Sequence, residues 1–124
     1  MPETLPHDHG QAFEHAFDHM PAVEDFRTVS DTFKQMGDPV RVRIFWLLCH
    51  CEECVLNIAA LVHMTSPAVS HHLRLLKTSG LITSRRAGKE MYYRAADSEL
   101  AQMLHHTIEK LGRITCPRDE KEET

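Results

Sequence analysis

The residues most able to do chemistry stand together at Cys49-His50-Cys51-Glu52-Glu53-Cys54, three thiols within six positions. Thiolates are soft donors that suit zinc, cadmium, lead and trivalent arsenic. Three of them fit a trigonal thiolate site for arsenic or lead, whereas Cys54 joined by histidines fits zinc or cadmium. A single cysteine is most often a small buried hydrophobe, and Cys49 continues an apolar helical run, so it also reads as core. Cys54 falls at the start of a predicted helix, where the helix dipole lowers a thiol's pKa. Nitrogen donors lie upstream. His15 and His19 are four apart, so a helix stacks them on one face, the alternative being a solvated face; His7 and His9 read as a disordered arm.

The second group with chemical meaning is basic. The net charge of the 124 residues is −4, and residues 1–26 carry six acids with no Lys or Arg. Residues 66–94 nevertheless hold Arg74, Lys77, Arg85, Arg86, Lys89 and Arg94 against Glu90 alone. Such a segment in an acidic chain is a footprint for phosphates, although charge runs are usually only solvated faces.

The elements that position these groups follow from periodicity and caps. Val23, Phe26, Val29, Phe33 and Met36 make one helical face, which Gly37 stops. Asp38-Pro39 is an N-cap followed by proline, opening a helix to Leu48 that turns Val40, Ile44, Leu47 and Leu48 inward. A short helix fits Val55 to His63, and Thr65-Ser66-Pro67 opens another, closed by Gly80. Leu81 to Arg86 and Glu90 to Ala95 read as two strands around Ala87-Gly88-Lys89. Asp97 or Ser98 caps a final helix with the stripe Leu100, Leu104, Ile108, Leu111 and Ile114. The chain divides into a His-rich acidic arm (1–20), one folded domain (21–115) and an acidic tail (116–124).

Two short helices joined by a tight turn, then a basic hairpin, make a winged helix-turn-helix, mainly α with a β-hairpin wing. Its second helix offers Ser66, Ser70, His71, His72, Arg74 and Lys77 to a major groove, with the two histidines serving contact or packing. Arg85, Arg86 and Lys89 place the wing on phosphates.

Phe33 to Tyr93 resembles the ArsR/SmtB family of bacterial metal-responsive repressors. The resemblance is carried by Phe33-Lys34-Gln35-Met36-Gly37-Asp38-Pro39-Val40-Arg41-Val42-Arg43-Ile44, Ser66-Pro67-Ala68-Val69-Ser70-His71-His72-Leu73-Arg74-Leu75-Leu76-Lys77, Gly80-Leu81-Ile82, Arg86-Ala87-Gly88-Lys89 and Tyr92-Tyr93. It implies a homodimer, joined through its terminal helices, that binds operator DNA and releases it when a metal inducer binds. Cys54 matches the position where the family's metal sensors place a cysteine, completed by Cys or His from the N-terminal arm. Asn57 stands where some members have a ligating Asp. The family's arsenic-sensing Cys-x-Cys-x2-Cys word is present as Cys49, Cys51 and Cys54, but it ends at Cys54 where theirs begins. The metal stays open among zinc, cadmium, lead and arsenic. The family's site on the last helix matches only at Asp97, with Glu99, Lys110 and Arg113 at the other positions, so that site is expected to be lost. His105 and His106 are out of its register and read as an exposed pair.

Other functions compete. The resemblance also implies a thiol-redox or persulfide switch, since some family members pair such cysteines, here Cys49 or Cys51 with Cys116; alternatively a constitutive DNA-binding module could hold structural zinc. An enzyme is disfavoured, because the chain has no nucleotide loop, no HExxH and no catalytic cysteine word. The longest apolar run, Ile44 to Cys49, is far below the ~18 residues of a membrane span. The first residues carry no basic, apolar leader. A reducing cytoplasm is the expected compartment.

Overall fold

In the computed structural model the described residues are 6, 7, 9, 10 and 20–114. His15, His19 and Cys116 lie outside them. The elements run α1 (Val23–Gln35), α2 (Pro39–Leu48), β1 (Glu53–Cys54), α3 (Val55–Val62), α4 (Ser66–Thr78), β2 (Ile82–Ala87), β3 (Glu90–Ala95) and α5 (Glu99–Gly112).

The helix starts follow from local chemistry. The Asp38 side chain accepts from the backbone N–H of Arg41 at 3.0 Å, ahead of Pro39 at the first turn of α2. Thr65 Oγ1 accepts from Ala68 N at 3.3 Å, and Ser98 Oγ from Ala101 N at 3.1 Å. Between α3 and α4 the chain turns at His63, whose φ of 56° and ψ of 48° place it in the left-handed region. Gly80, at φ 76°, ends α4 in the conformation glycine adopts without strain.

The core lies where α2, α3, α4 and the hairpin meet. Ile44, Phe45, Ile58, Val69, Leu76 and Leu81 are fully enclosed there. Phe45 is thus a central core residue. The hairpin pairs Ala87 with Glu90 across a two-residue Gly88-Lys89 loop, with Gly88 at φ 63°.

A third strand adds to the expected pair. β1 joins the outer edge of β3 antiparallel, with Glu53 opposite Tyr93 and Cys54 opposite Tyr92. Two residues are too few to show alternation in sequence; the edge of β3 supplies the partner.

The outer helices differ from the core. Helix α1 buries no residue, and Val23, Phe26, Val29 and Phe33 stand exposed. On α5, Ala101 is buried, Leu104 and Ile108 pack against the core, and Leu100, Met103 and Leu111 are exposed, as is Ile114 just beyond its end. The α5 stripe therefore splits between a core side and an outward side. Among the described residues no helix is long and apolar enough to cross a membrane.

Candidate nucleic-acid interface and metal centre

Helix α4 projects Ser70, His71, Arg74 and Lys77 to solvent, with Ser66 half-buried at its start. Arg74 Nη2 lies 3.3 Å from His71 Nδ1, so the two form one polar unit on the outer surface. His72 departs from this row. It is only 9% exposed, and its Nδ1 accepts from Arg41 Nε at 3.3 Å. Arg41, equally buried, also donates through Nη1 to Gln35 Oε1 at 3.0 Å. Burial pushes the His72 imidazole below its ordinary pKa, with Asp38 opposing the shift and Arg41 and His71 adding to it. Of the two histidines, His71 faces outward and His72 serves packing.

On the wing, Arg85, Arg86 and Lys89 are all exposed. Arg85 and Arg86 are successive strand residues, so they point to opposite faces of the hairpin. Lys89 sits in the loop. Arg85 donates from Nε to Glu52 Oε1 at 2.9 Å and lies over the Tyr92 ring at 5.1 Å. That hydrogen bond holds the Glu52 carboxyl below its usual range. The wing's first arginine is therefore tied to the cysteine loop.

The three thiols are spread along this loop. Cys49 follows α2 and is half-buried, Cys51 donates to Leu47 O at 3.4 Å, and Cys54 is the N-cap residue of α3 at 8% exposure. Burial, with the Glu109 charge behind it, pushes the Cys49 thiol up to about 12. Burial and the Glu53 charge push Cys51 up as well. Both are protonated at rest, so a metal must displace protons to reach them. Asn57 is engaged, donating to Glu53 Oε2 at 2.7 Å. Cys49, Cys51 and Cys54 are all free thiols. They are not brought together as three donors around one point; among the described residues only His50, His105 and Glu109 are, their donor atoms lying within 4.8 Å of one another.

That cluster corrects the reading of His105. It is half-buried and partnered, not one of an exposed pair; His106 alone is exposed. His105 Nε2 lies 3.1 Å from His50 Nε2 and 3.2 Å from Glu109 Oε1, and His50 Nε2 lies 3.6 Å from Glu109 Oε2. The Trp46 indole N–H donates to Glu109 Oε2 at 3.1 Å. Burial pushes the Glu109 carboxyl up, but the Trp46 hydrogen bond and the two imidazoles outweigh it and hold the group below its ordinary value. His105 and Glu109 show the i, i+4 spacing of one helix face in sequence. Nothing local announces that His50, 55 residues away, joins them. Beside the cluster a cleft of about 640 Å³ opens between the cysteine loop and α5, with Cys49, Cys51, Asp97 and His105 in its wall.

Comparison with known proteins places this geometry. Residues 38–84 match the family model described as bacterial regulatory protein, arsR family. The chain is 32% identical over 92 residues to the HTH-type transcriptional repressor SmtB of Mycobacterium tuberculosis, covering 74% of this chain and 68% of that one. It is 36% identical over 77 residues to a cadmium resistance transcriptional regulatory protein CadC homolog of Staphylococcus aureus, covering 61% and 64%. Among solved structures, a homodimeric winged helix-turn-helix DNA-binding domain of Mycobacterium bovis, a possible ArsR-family transcriptional regulator, superposes with a TM-score of 0.66. Its identity is 27%, over 76% of this chain and 91% of that one. These relatives are transcription regulators rather than enzymes. With α3 and α4 forming the helix-turn-helix and β2–β3 the wing, the chain belongs to the arsR family of bacterial regulatory proteins.

Proposed function

We propose that this protein is a homodimeric, cytoplasmic repressor. It binds operator DNA through α4 and the hairpin, and it releases the DNA when a thiophilic metal or metalloid ion binds. The ion is zinc, cadmium, lead or trivalent arsenic. The observation that carries this reading is the position of Cys54. It begins α3, the first helix of the DNA-binding pair, and it lies opposite Tyr92 in the wing strand. An ion held there acts on both parts of the DNA reader.

Cys54 is the principal ligand, with Cys51 and Cys49 of the same loop and His15 and His19 of the arm (1–20) as further donors that binding must bring to it. The donor set suits the ion class, since thiolate and imidazole both bind zinc and cadmium. The names of SmtB and of the cadmium-resistance CadC homolog point the same way. The exposed apolar faces of α1 and α5 suit a second copy, and the similar M. bovis domain is itself homodimeric. DNA contact falls to Ser66, Ser70, His71, Arg74 and Lys77 on α4, and to Arg86, Lys89 and Arg85 on the wing, the last once Glu52 lets go.

Release requires only that the ion bind the DNA-incompetent dimer more tightly than the competent one. About 1–3 kcal/mol of coupling is usual for such a switch. The test is fluorescence anisotropy of the reduced protein on its promoter DNA with each ion added in turn. Cys54→Ser should bind DNA as the parent does and ignore the ion. Full induction of Cys54→Ser overturns the assignment. Release by oxidants or persulfides, with every metal inert, replaces it with a thiol switch.

A further inference from the structure

We propose a nitrogen–oxygen site for a divalent transition-metal ion at His50, His105 and Glu109, separate from the thiols. The spacing carries the argument. Donors about 2.0–2.1 Å from a tetrahedral ion stand about 3.3 Å from one another. The two Nε2 atoms stand 3.1 Å apart, and Glu109 turns Oε1 to His105 at 3.2 Å and Oε2 to His50 at 3.6 Å, so one atom from each residue fits within 4.8 Å of the others. Two histidine Nε2 atoms turned toward each other share at most one proton between them; an ion between them uses both lone pairs. Two imidazoles and a carboxylate leave a fourth position open, and the cleft of about 640 Å³ gives access to it.

The surroundings hold this geometry in place. His105 and Glu109 lie one turn apart on α5. The His50 ring packs on Trp46 with centroids 4.6 Å apart and meets the His105 ring edge-on at 4.7 Å. Trp46 Nε1–H fixes one carboxylate oxygen of Glu109. Side-chain exposures of 15% for His50, 25% for His105 and 14% for Glu109 keep bulk water mostly away. Imidazole with carboxylate selects borderline ions such as zinc, cobalt or nickel rather than trivalent arsenic. Because His50 sits between Cys49 and Cys51, an ion here clamps the cysteine loop to α5, and it does so whether or not the thiols bind metal.

The test is a Co(II) titration of the reduced full chain carrying Cys49→Ser, Cys51→Ser and Cys54→Ser, read by visible absorption. The same titration is run with His105→Gln or Glu109→Gln added. One Co(II) per protomer with tetrahedral d–d bands and no sulfur charge-transfer band is expected. His105→Gln and Glu109→Gln should each weaken it by more than about a hundredfold, beyond the roughly 10–100-fold that loss of an outer partner costs. Affinity within twofold of the parent in both variants overturns the site and assigns the ion elsewhere, the histidines of the arm included. If the triple serine chain fails to fold, judged by circular dichroism, the reduced wild-type chain and its His105→Gln variant serve instead. There a sulfur charge-transfer band reports the thiols separately, and loss of only that part of the spectrum without the sulfur band in His105→Gln supports the site. An unchanged spectrum in that variant overturns it. Failure of Cys54→Ser to alter induction leaves this result untouched.

Discussion

Arg85 on the wing and Glu52 in the cysteine loop are joined by a hydrogen bond of 2.9 Å from Nε to Oε1. Both side chains are solvent-exposed to a substantial degree, and pairs of this kind add little to stability. The bond matters for where the guanidinium points. While Glu52 holds it, the Nε and Nη2 edge of Arg85 is engaged and not offered to a phosphate. Glu52→Gln is expected to tighten operator binding several-fold and to steepen its salt dependence, with the thermal midpoint unchanged. Anisotropy titrations across a salt series check this. Unaltered affinity and slope would mean that the wing docks with Arg85 still in its ion pair.

Arg74 is the exposed arginine of α4, the helix proposed to read DNA. Arg74→Ala is expected to lower the salt slope of log K by about 1 if it neutralises a phosphate, and to weaken binding to all sequences alike. If it reads a guanine edge, the loss is about 1–3 kcal/mol and specific to one operator position. Metal affinity stays as in the parent. Operator affinity equal to that of wild type would remove α4 from the reading role.

The cap at Asp38 is testable by pH. Its carboxyl is held below the ordinary value of 3.8, chiefly by the backbone N–H of Arg41. A depressed folded-state pKa gives stability that is complete above 3.8 and is lost as the pH falls below it. Asp38→Ala should cost about 1 kcal/mol at neutral pH, and the two proteins should converge in acid. Denaturant melts at pH 7 and pH 3 provide the comparison.

His72 makes a prediction in a different window. Its pKa is lowered from 6.5 by burial, so the native state keeps the ring neutral while the unfolded chain takes up a proton. Its contribution is complete above 6.5 and declines as the pH drops below that value. The stability difference between wild type and His72→Gln should therefore shrink from pH 7 to pH 5. A constant difference would show that the ring titrates equally in both states.

Phe26 stands 49% exposed on α1, among other apolar side chains. Burying a phenylalanine side chain gains about 1.5–3 kcal/mol. Phe26→Glu should shift sedimentation from dimer to monomer and weaken operator binding with it. A dimer that survives at micromolar concentration would move the interface away from this face.

How far the sequence reveals all this depends on range. Asp38-Pro39, Thr65-Ser66-Pro67 and Gly80 act within one turn, so the helix ends are visible in the residues themselves. The hairpin is visible because Gly88-Lys89 separates two runs of strand formers. β1 is not, since Glu53 and Cys54 become a strand only against Tyr93 and Tyr92. The α1 stripe marks a helix correctly but not what covers it; an apolar face looks the same whether it meets the core or a second chain. The outward and inward members of α4 also blur, because adjacent His71 and His72 differ only in which way α2 and its Arg41 lie. For His50, His105 and Glu109 the sequence shows one i, i+4 pair, and the third donor arrives through the packing of α2 against α5.

β3 meets β2 along its length, from Ile82↔Ala95 to Ala87↔Glu90, but meets β1 only at Glu53↔Tyr93 and Cys54↔Tyr92. Opening that short edge costs two residue pairs and leaves the hairpin whole. Amide hydrogen exchange is expected to place the backbone there among the low-free-energy openings, below the global unfolding that exposes Ile44 or Leu76. A strand held by two residue pairs is expected to behave as a latch, coming off and re-forming within the lifetime of one folded molecule.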